Sequence, residues 1–245
     1  MGAYLYDNDY VTDFLKWIKI LEEKQIKPIY YKNTFSYDLN ELEQFQQEIL
    51  VSKNSSLAYF FANEFSYKTY LMQKIIIDNE DYKYAYLFAQ TIDNADIKTL
   101  QNIVIKSNKI KYICKFACFV KTNDLTSLET IILQSKNAKT VHMFIKYVKG
   151  TDINKFKNII LDSKKPRYLF ELAKHITDPK DIIQIEDLII ETKSFTYIRL
   201  LAQKIKYVNV EKLEQAILDL EDISEISKFA KNVKQSKMKR FLLIS

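Results

Sequence analysis

The chain has 245 residues, a formal net charge of +6 and a hydrophobic fraction of 47%, with two glycines and three prolines. That length and apolar content supply a sizeable core and exclude global disorder. Two glycines, Gly2 and Gly150, cannot build a phosphate-cradling loop, which needs several positions without side chains, and no apolar run approaches the roughly 20 residues that cross a bilayer.

The N-terminal stretch "MGAYLYDNDY" is acidic and lacks the basic-then-apolar layout of a signal peptide. Tyr6 also breaks the myristoylation pattern, so the expectation is a soluble, cytoplasmic protein without membrane contact. Residues 1–44 hold five lysines and eight acids, a net of −3, which leaves +9 for residues 45–245 of a chain that totals +6. Within the acidic leader, "NDYVTDFLKWIKILEEKQ" predicts an amphipathic helix with Val11, Phe14, Leu15, Ile18 and Leu21 on one face. Residues 1–44 are therefore expected to form an N-terminal helical cap, closed by a loop around Pro28.

From residue 45 the chain repeats itself. "SLETIILQSKNAKTVHMFIKYVKG" at 127–150 returns 28 residues on as "KFKNIILDSKKPRYLFELAKHITD". The apolar residues that open successive units are Phe45, Met72, Leu100, Leu128, Phe156, Ile185 and Leu213, spaced 27, 28, 28, 28, 29 and 28 apart. Counted from these anchors, position 5 reads Ile49, Ile76, Val104, Ile132, Ile160, Ile189 and Ile217. Position 17 is Phe61, Phe88, Phe116, Phe144, Leu172, Leu201 and Phe229, and position 18 is alanine in every unit except at Ile145.

The apolar positions of a unit fall into two sets with three-and-four spacing, separated by a polar turn around position 8, which is mostly Ser. Each unit thus predicts two short antiparallel helices, with Asp96, Asp124, Asp152, Asp181 and Asn209 as N-caps before the first helix. Such helices are too short to persist alone in water, so stacked neighbours must supply the missing core. The expected fold is all-α: a solenoid of about seven 28-residue helix pairs over residues 45–245, ending at "FLLIS" in a truncated terminal cap. The β-branched runs Ile103–Ile105 and Ile159–Leu161 are where strands would compete with helix.

In architecture alone the chain resembles the α-solenoid helical-repeat proteins of the HEAT, armadillo and tetratricopeptide type. Its 28-residue unit is shorter than theirs, so the resemblance implies a superhelical binding frame and carries no site residues.

Chemistry-bearing residues are sparse. Cys114 and Cys118 lie four apart, and His142 holds the repeat position of Cys114 one layer on. Layers stand about 8–10 Å apart, a spacing that strains a shared zinc ion, and His175 is expected a further layer away. The expectation is reduced thiols, no metal, no cofactor and no catalytic residue. Two features could carry binding. Position 12 places Lys83, Lys111, Lys139 and Arg167 in four successive layers, a basic ridge suited to an anion or a nucleic-acid backbone; Lys136, Lys164 and Lys193 at position 9 add charge. Position 15 is variable and partly aromatic, and Tyr59, Tyr86, His142 and Phe170 would line a partner-binding surface if exposed. The function expected is a non-enzymatic scaffold that binds another protein, with a sequence-tolerant nucleic-acid binder as its alternative.

Overall fold

A computed structural model describes residues 8–24, 29–31, 34–36, 38–122 and 124–238. The expected loop at Pro28, the side chain of Val11 and the terminal "FLLIS" lie outside the described residues. Among the described residues the regular structure is helical apart from one small hairpin, and the chain forms two compact units, residues 1–124 and 125–245.

In the first unit, α1 spans Asn8–Glu23 and packs on α3. A two-stranded antiparallel hairpin follows, β1 Ile29–Tyr31 against β2 Thr34–Ser36 in the register Ile29↔Ser36. Sequence reading expected no strand, but these segments are rich in Tyr, Phe, Ile and Thr, which favour extended backbone. The remaining helices are α2 Leu39–Ser52, α3 Ser55–Phe65, α4 Thr69–Asp78, α5 Tyr82–Thr91, α6 Ile97–Lys106 and α7 Ile110–Phe119. Each packs on its sequence neighbour, and α3 on α5, α5 on α7, α2 on α4 and α4 on α6.

The second unit holds α8 Leu125–Gln134, α9 Ala138–Tyr147, a 3-10 turn at Ile153–Lys155 leading into α10 Lys157–Asp162, α11 Pro166–Ala173, α12 Pro179–Glu191, α13 Phe195–Lys204, α14 Val210–Leu218 and α15 Ile223–Asn232. It repeats the same pattern, with α9 on α11, α11 on α13, α13 on α15 and α12 on α14. Both β-branched runs are helical, Ile103–Ile105 inside α6 and Ile159–Leu161 inside α10. Burial on two packed faces outweighs their weak intrinsic preference.

The core is built from the repeat columns: every residue at positions 1, 5 and 17 is buried. The turn between paired helices is equally regular. Lys53, Glu80, Asn108, Lys136, Lys164, Lys193 and Glu221, all at position 9, adopt the left-handed conformation with φ between 47° and 55°. Preceding them, the position-8 hydroxyl donates to the position-5 carbonyl, as in Ser107 Oγ to Val104 O at 2.6 Å and Ser163 Oγ to Ile160 O at 2.6 Å. The same hydroxyl accepts from the amide two residues on, Lys109 N at 3.2 Å and Lys165 N at 3.3 Å. This double use of one oxygen satisfies a terminal carbonyl and a loop amide at once, which is why serine recurs there.

Caps differ in part from expectation. Asp96, Asp152 and Asn209 accept from amides of the following turn as expected. Asp181 does not cap; Pro179 occupies the first turn of α12, so the cap moves back to Asp178, and Asp181 instead receives Lys157 Nζ at 2.8 Å. Asn54, Asp81, Asn137 and Asp222 at position 10 cap the second helices, a column that the sequence reading passed over.

The leader also turns a different face inward. Trp17 is 1% exposed, whereas Leu15 is 62% exposed. Trp17 stacks on Phe45 at 5.6 Å and on Phe60 at 5.9 Å, so the ring with the largest apolar area sets the rotation of α1.

Candidate functional site: a basic cleft holding both histidines

The residues of the expected ridge divide between the units. Lys83, on α5, is half-buried and binds Asp13 of α1 at 3.2 Å, beside the Tyr84 hydroxyl, which donates to the same carboxylate. Burial and the Asp13 charge push the Tyr84 phenol well above its ordinary range. Lys111, on α7, is exposed, with its ammonium 5.6 Å from the Tyr112 ring. In the second unit Lys139 and Arg167 are exposed, in the first turns of α9 and α11. Three members of the row therefore meet solvent, and the fourth is tied to the leader helix.

Position 15 is a packing column. Tyr59, Tyr86, His142 and Phe170 are all buried, at 9% exposure or less. Their rings fill the space between successive second helices: Tyr59 meets Tyr84 at 5.6 Å, Tyr86 meets Tyr112 at 6.0 Å, and Phe170 meets Tyr197 at 6.0 Å. An exposed aromatic surface at these positions is thereby corrected. Variable size at position 15 reflects layer-to-layer fit.

His142 lines a small cavity. It projects from α9 and stacks on Tyr168 of α11, ring centroids 4.7 Å apart. Its Nε2 is buried without a hydrogen-bond partner, at the wall of a niche of about 10 Å³ lined also by Lys146, Tyr168, Glu171 and His175. A niche of that size holds about one water. It adjoins a larger cleft of about 280 Å³, which shares Ile145, Lys146 and His175 and is completed by Val148, Lys149, Gly150, Thr151 and Ile153. Both histidines of the chain thus line the niche, and His175 alone of the two reaches the larger cleft, although His175 was expected a layer apart. The missing signal was the bend after α11, which ends at Ala173 and brings His175 back toward α9.

The electrostatics of the cleft are cationic. Burial is the main cause that lowers the His142 pKa below the ordinary value, with Glu171 opposing and Arg167, Lys146 and Lys174 assisting. Burial disfavours the Glu171 carboxylate, yet the Lys174 hydrogen bond at 2.7 Å and nearby cations hold its pKa below the usual range. Gly150, at φ +78°, supplies the left-handed turn at the cleft's lip, with open space where a Cβ would stand.

The cysteines lie elsewhere. Cys114 is buried and Cys118 half-buried on α7, their sulfurs 3.8 Å apart, and contact with Cys118 together with burial pushes the Cys114 thiol far up. Among the described residues no group of three His, Cys, Asp or Glu is placed to hold a metal ion, and no helix is long and apolar enough to cross a membrane.

A second set of residues was invisible as function but decides how layers join. Position 2, beside the buried anchor, is always long and polar. Gln73 Oε1 accepts from Asp96 N at 2.9 Å, Glu186 Oε2 from Asn209 N at 2.8 Å and Glu214 Oε1 from Lys237 N at 2.7 Å. Gln101 Nε2 donates to Asp124 O at 3.0 Å. Gln73 thereby latches the start of α6, and Glu186 the start of α14.

Compared with protein-family models, with curated proteins and with solved structures, the chain matches none of them.

Proposed function

We propose that the chain is an α-solenoid of seven 28-residue helix pairs that serves as a non-enzymatic scaffold for binding another protein. The period of the left-handed position-9 turns, 27, 28, 28, 28, 29 and 28 residues, supports the repeat reading at the backbone level. The position-2 latches and the shared core columns support stacking within each compact unit.

The observation that favours a protein partner over a nucleic acid is the local neutralisation of lysines. Lys106 binds Glu80 at 3.0 Å, Lys155 binds Glu129 at 2.8 Å, Lys164 binds Glu191 at 3.2 Å, and Lys212 and Lys237 pair with Asp187 and Glu211. With Lys83 held by Asp13, these lysines face an acid of a neighbouring element. Phosphate binding draws its affinity from cations free to displace counterions. The rival reading rests on the exposed Lys111, Lys139 and Arg167.

Fluorescence anisotropy with a labelled single-stranded oligonucleotide separates the two. The scaffold reading expects weak or no binding near physiological salt. Tight binding that weakens steeply with salt, and whose log–log slope flattens by roughly three to four units when Lys83, Lys111, Lys139 and Arg167 are replaced by Gln, would establish the nucleic-acid reading instead.

A further inference from the structure

We infer that Arg167 and Tyr168, at the start of α11, form the docking point for an amphipathic helix of the partner, one that carries a carboxylate just ahead of aromatic residues. This rests on the scaffold reading and deepens it by naming the partner's chemistry.

The first unit already holds such a helix. Its α1 packs on α3, and Asp13 accepts from Lys83 Nζ at 3.2 Å and from the Tyr84 hydroxyl, the residues at positions 12 and 13 of α5. The aromatic residues after Asp13 rest on position 16 of the preceding layer: Phe14 meets Phe60 at 5.8 Å and Trp17 meets it at 5.9 Å. Tyr59, at position 15, packs on Tyr84 at 5.6 Å. Under this cover Phe60 is 3% exposed.

The second unit repeats the receiving groups. Arg167 and Tyr168 stand at positions 12 and 13 of α11, His142 at position 15 stacks on Tyr168 at 4.7 Å, and Met143 holds the place of Phe60. Here Arg167 is exposed, and Tyr168 and Met143 are half-exposed. Among the described residues no ion pair engages Arg167 and no hydrogen bond engages the Tyr168 hydroxyl. Asp81 caps α5, whereas Lys165 caps α11 without a side-chain hydrogen bond, so an anion at that positive helix end meets no capping acid. Glu171, one turn on, would repel a carboxylate, but Lys174 engages it at 2.7 Å. Lys111 and Tyr112 repeat the pair on α7, yet Leu87, at position 16 before them, is 3% exposed and leaves no seat for a ring. Position 12 continues as Thr196 and Ser224, so the cations stop at Arg167. A phosphate backbone gains little from so short a row, whereas one cation, one phenol and a thioether suit one carboxylate and one ring.

The probe is the leader helix supplied in trans: a fluorescein-labelled peptide of residues 8–24, titrated with the full chain, whose own α1 occupies α3. Its anisotropy should rise saturably. Asp13→Asn in the peptide, or Arg167→Gln in the chain, should each weaken binding by at least about tenfold, the loss of one charge-assisted contact. Tyr168→Phe, which keeps the ring on His142, should weaken it by about fivefold. Absent binding, or binding indifferent to Asp13→Asn or to Arg167→Gln, would overturn the docking point. Equal weakening by Lys83→Gln would mean that the peptide exchanges with the leader, and would overturn it too. So would an oligothymidylate that displaces the labelled peptide at lower concentration than the unlabelled peptide does, since that assigns Arg167 to phosphate. If the peptide fails while the Arg167→Gln chain still captures the same protein as the wild type, the scaffold reading survives and only this docking point falls.

Discussion

Glu221 occupies a left-handed turn at φ 55°, where an L side chain costs about 1 kcal/mol or more, and it places a negative charge just past the C-terminus of α14. That charge opposes the helix dipole. Glu221→Gly should therefore raise stability by about 1 kcal/mol, the relief exceeding glycine's added chain entropy. Thermal unfolding followed by circular dichroism checks this; a lower midpoint would mean that the turn relaxes out of the left-handed region. His142 gives a pH prediction. Burial lowers its folded pKa, so the folded state favours the neutral imidazole, and its contribution is present above the ordinary value near 6.5. As pH falls through that value the unfolded chain takes up the proton first, and stability declines. Between about pH 7.5 and 6 the wild-type midpoint should fall more than that of His142→Phe, which keeps the stack on Tyr168 without a titrating group; equal falls would place the sensitivity elsewhere. Carboxylate pairs such as Glu211 with Lys237 respond only at lower pH. The sequence reading found His142 but not its cavity, because burial at position 15 depends on how far successive second helices approach, which spacing alone does not set.

The helix pair was readable from the apolar columns, since positions 1, 5 and 17 recur at one period and their burial follows from stacking. What escaped was polar. Asn54, Asp81, Asn137 and Asp222 look like ordinary turn residues until position 10 is lined up as a cap column. Position 2 looks like solvent-facing charge, yet Glu186 is 1% exposed and holds both Asn209 N and Lys212 Nζ, the latter at 3.3 Å. Hydrophobic periodicity reports which faces are buried and says nothing of the hydrogen bonds that fix layer to layer. Glu186→Ala should cost about 1–3 kcal/mol, because it orphans a backbone amide at a helix start, while Glu186→Gln, which keeps the acceptor, should recover most of that loss. Equal destabilisation by both would assign the effect to the Lys212 charge instead. Ala117→Leu tests the close-contact column: Ala117 is buried on α7, so added volume should cost roughly 1–3 kcal/mol in the unfolding midpoint, and an unchanged midpoint would remove position 18 from the helix contacts. Trp17 shows the opposite failure, in which a helical wheel chose Leu15 and Ile18 while the stacking of one large ring on Phe45 and Phe60 decided the face.

At the scale of the whole molecule, composition pointed to a helical protein and the repeat to its units. The hairpin at Ile29–Ser36 lay outside both arguments, since it belongs to neither the period nor the leader helix. Net charge, +6 over the chain, gave no sign that several lysines pair with acids of a neighbouring layer, as Lys106 does with Glu80 and Lys164 with Glu191. A scaffold of this kind should hold its partner through side chains displayed on a fixed frame, so partner recovery should not depend on nucleic acid. The decisive measurement is affinity capture of the tagged full chain from the cells that make it, with and without nuclease treatment, beside the variant in which Lys83, Lys111 and Lys139 are Gln. The account predicts the same co-purifying protein in all three preparations at comparable yield. Recovery that disappears with nuclease, or with the three-residue change in a chain that still folds, would contradict it.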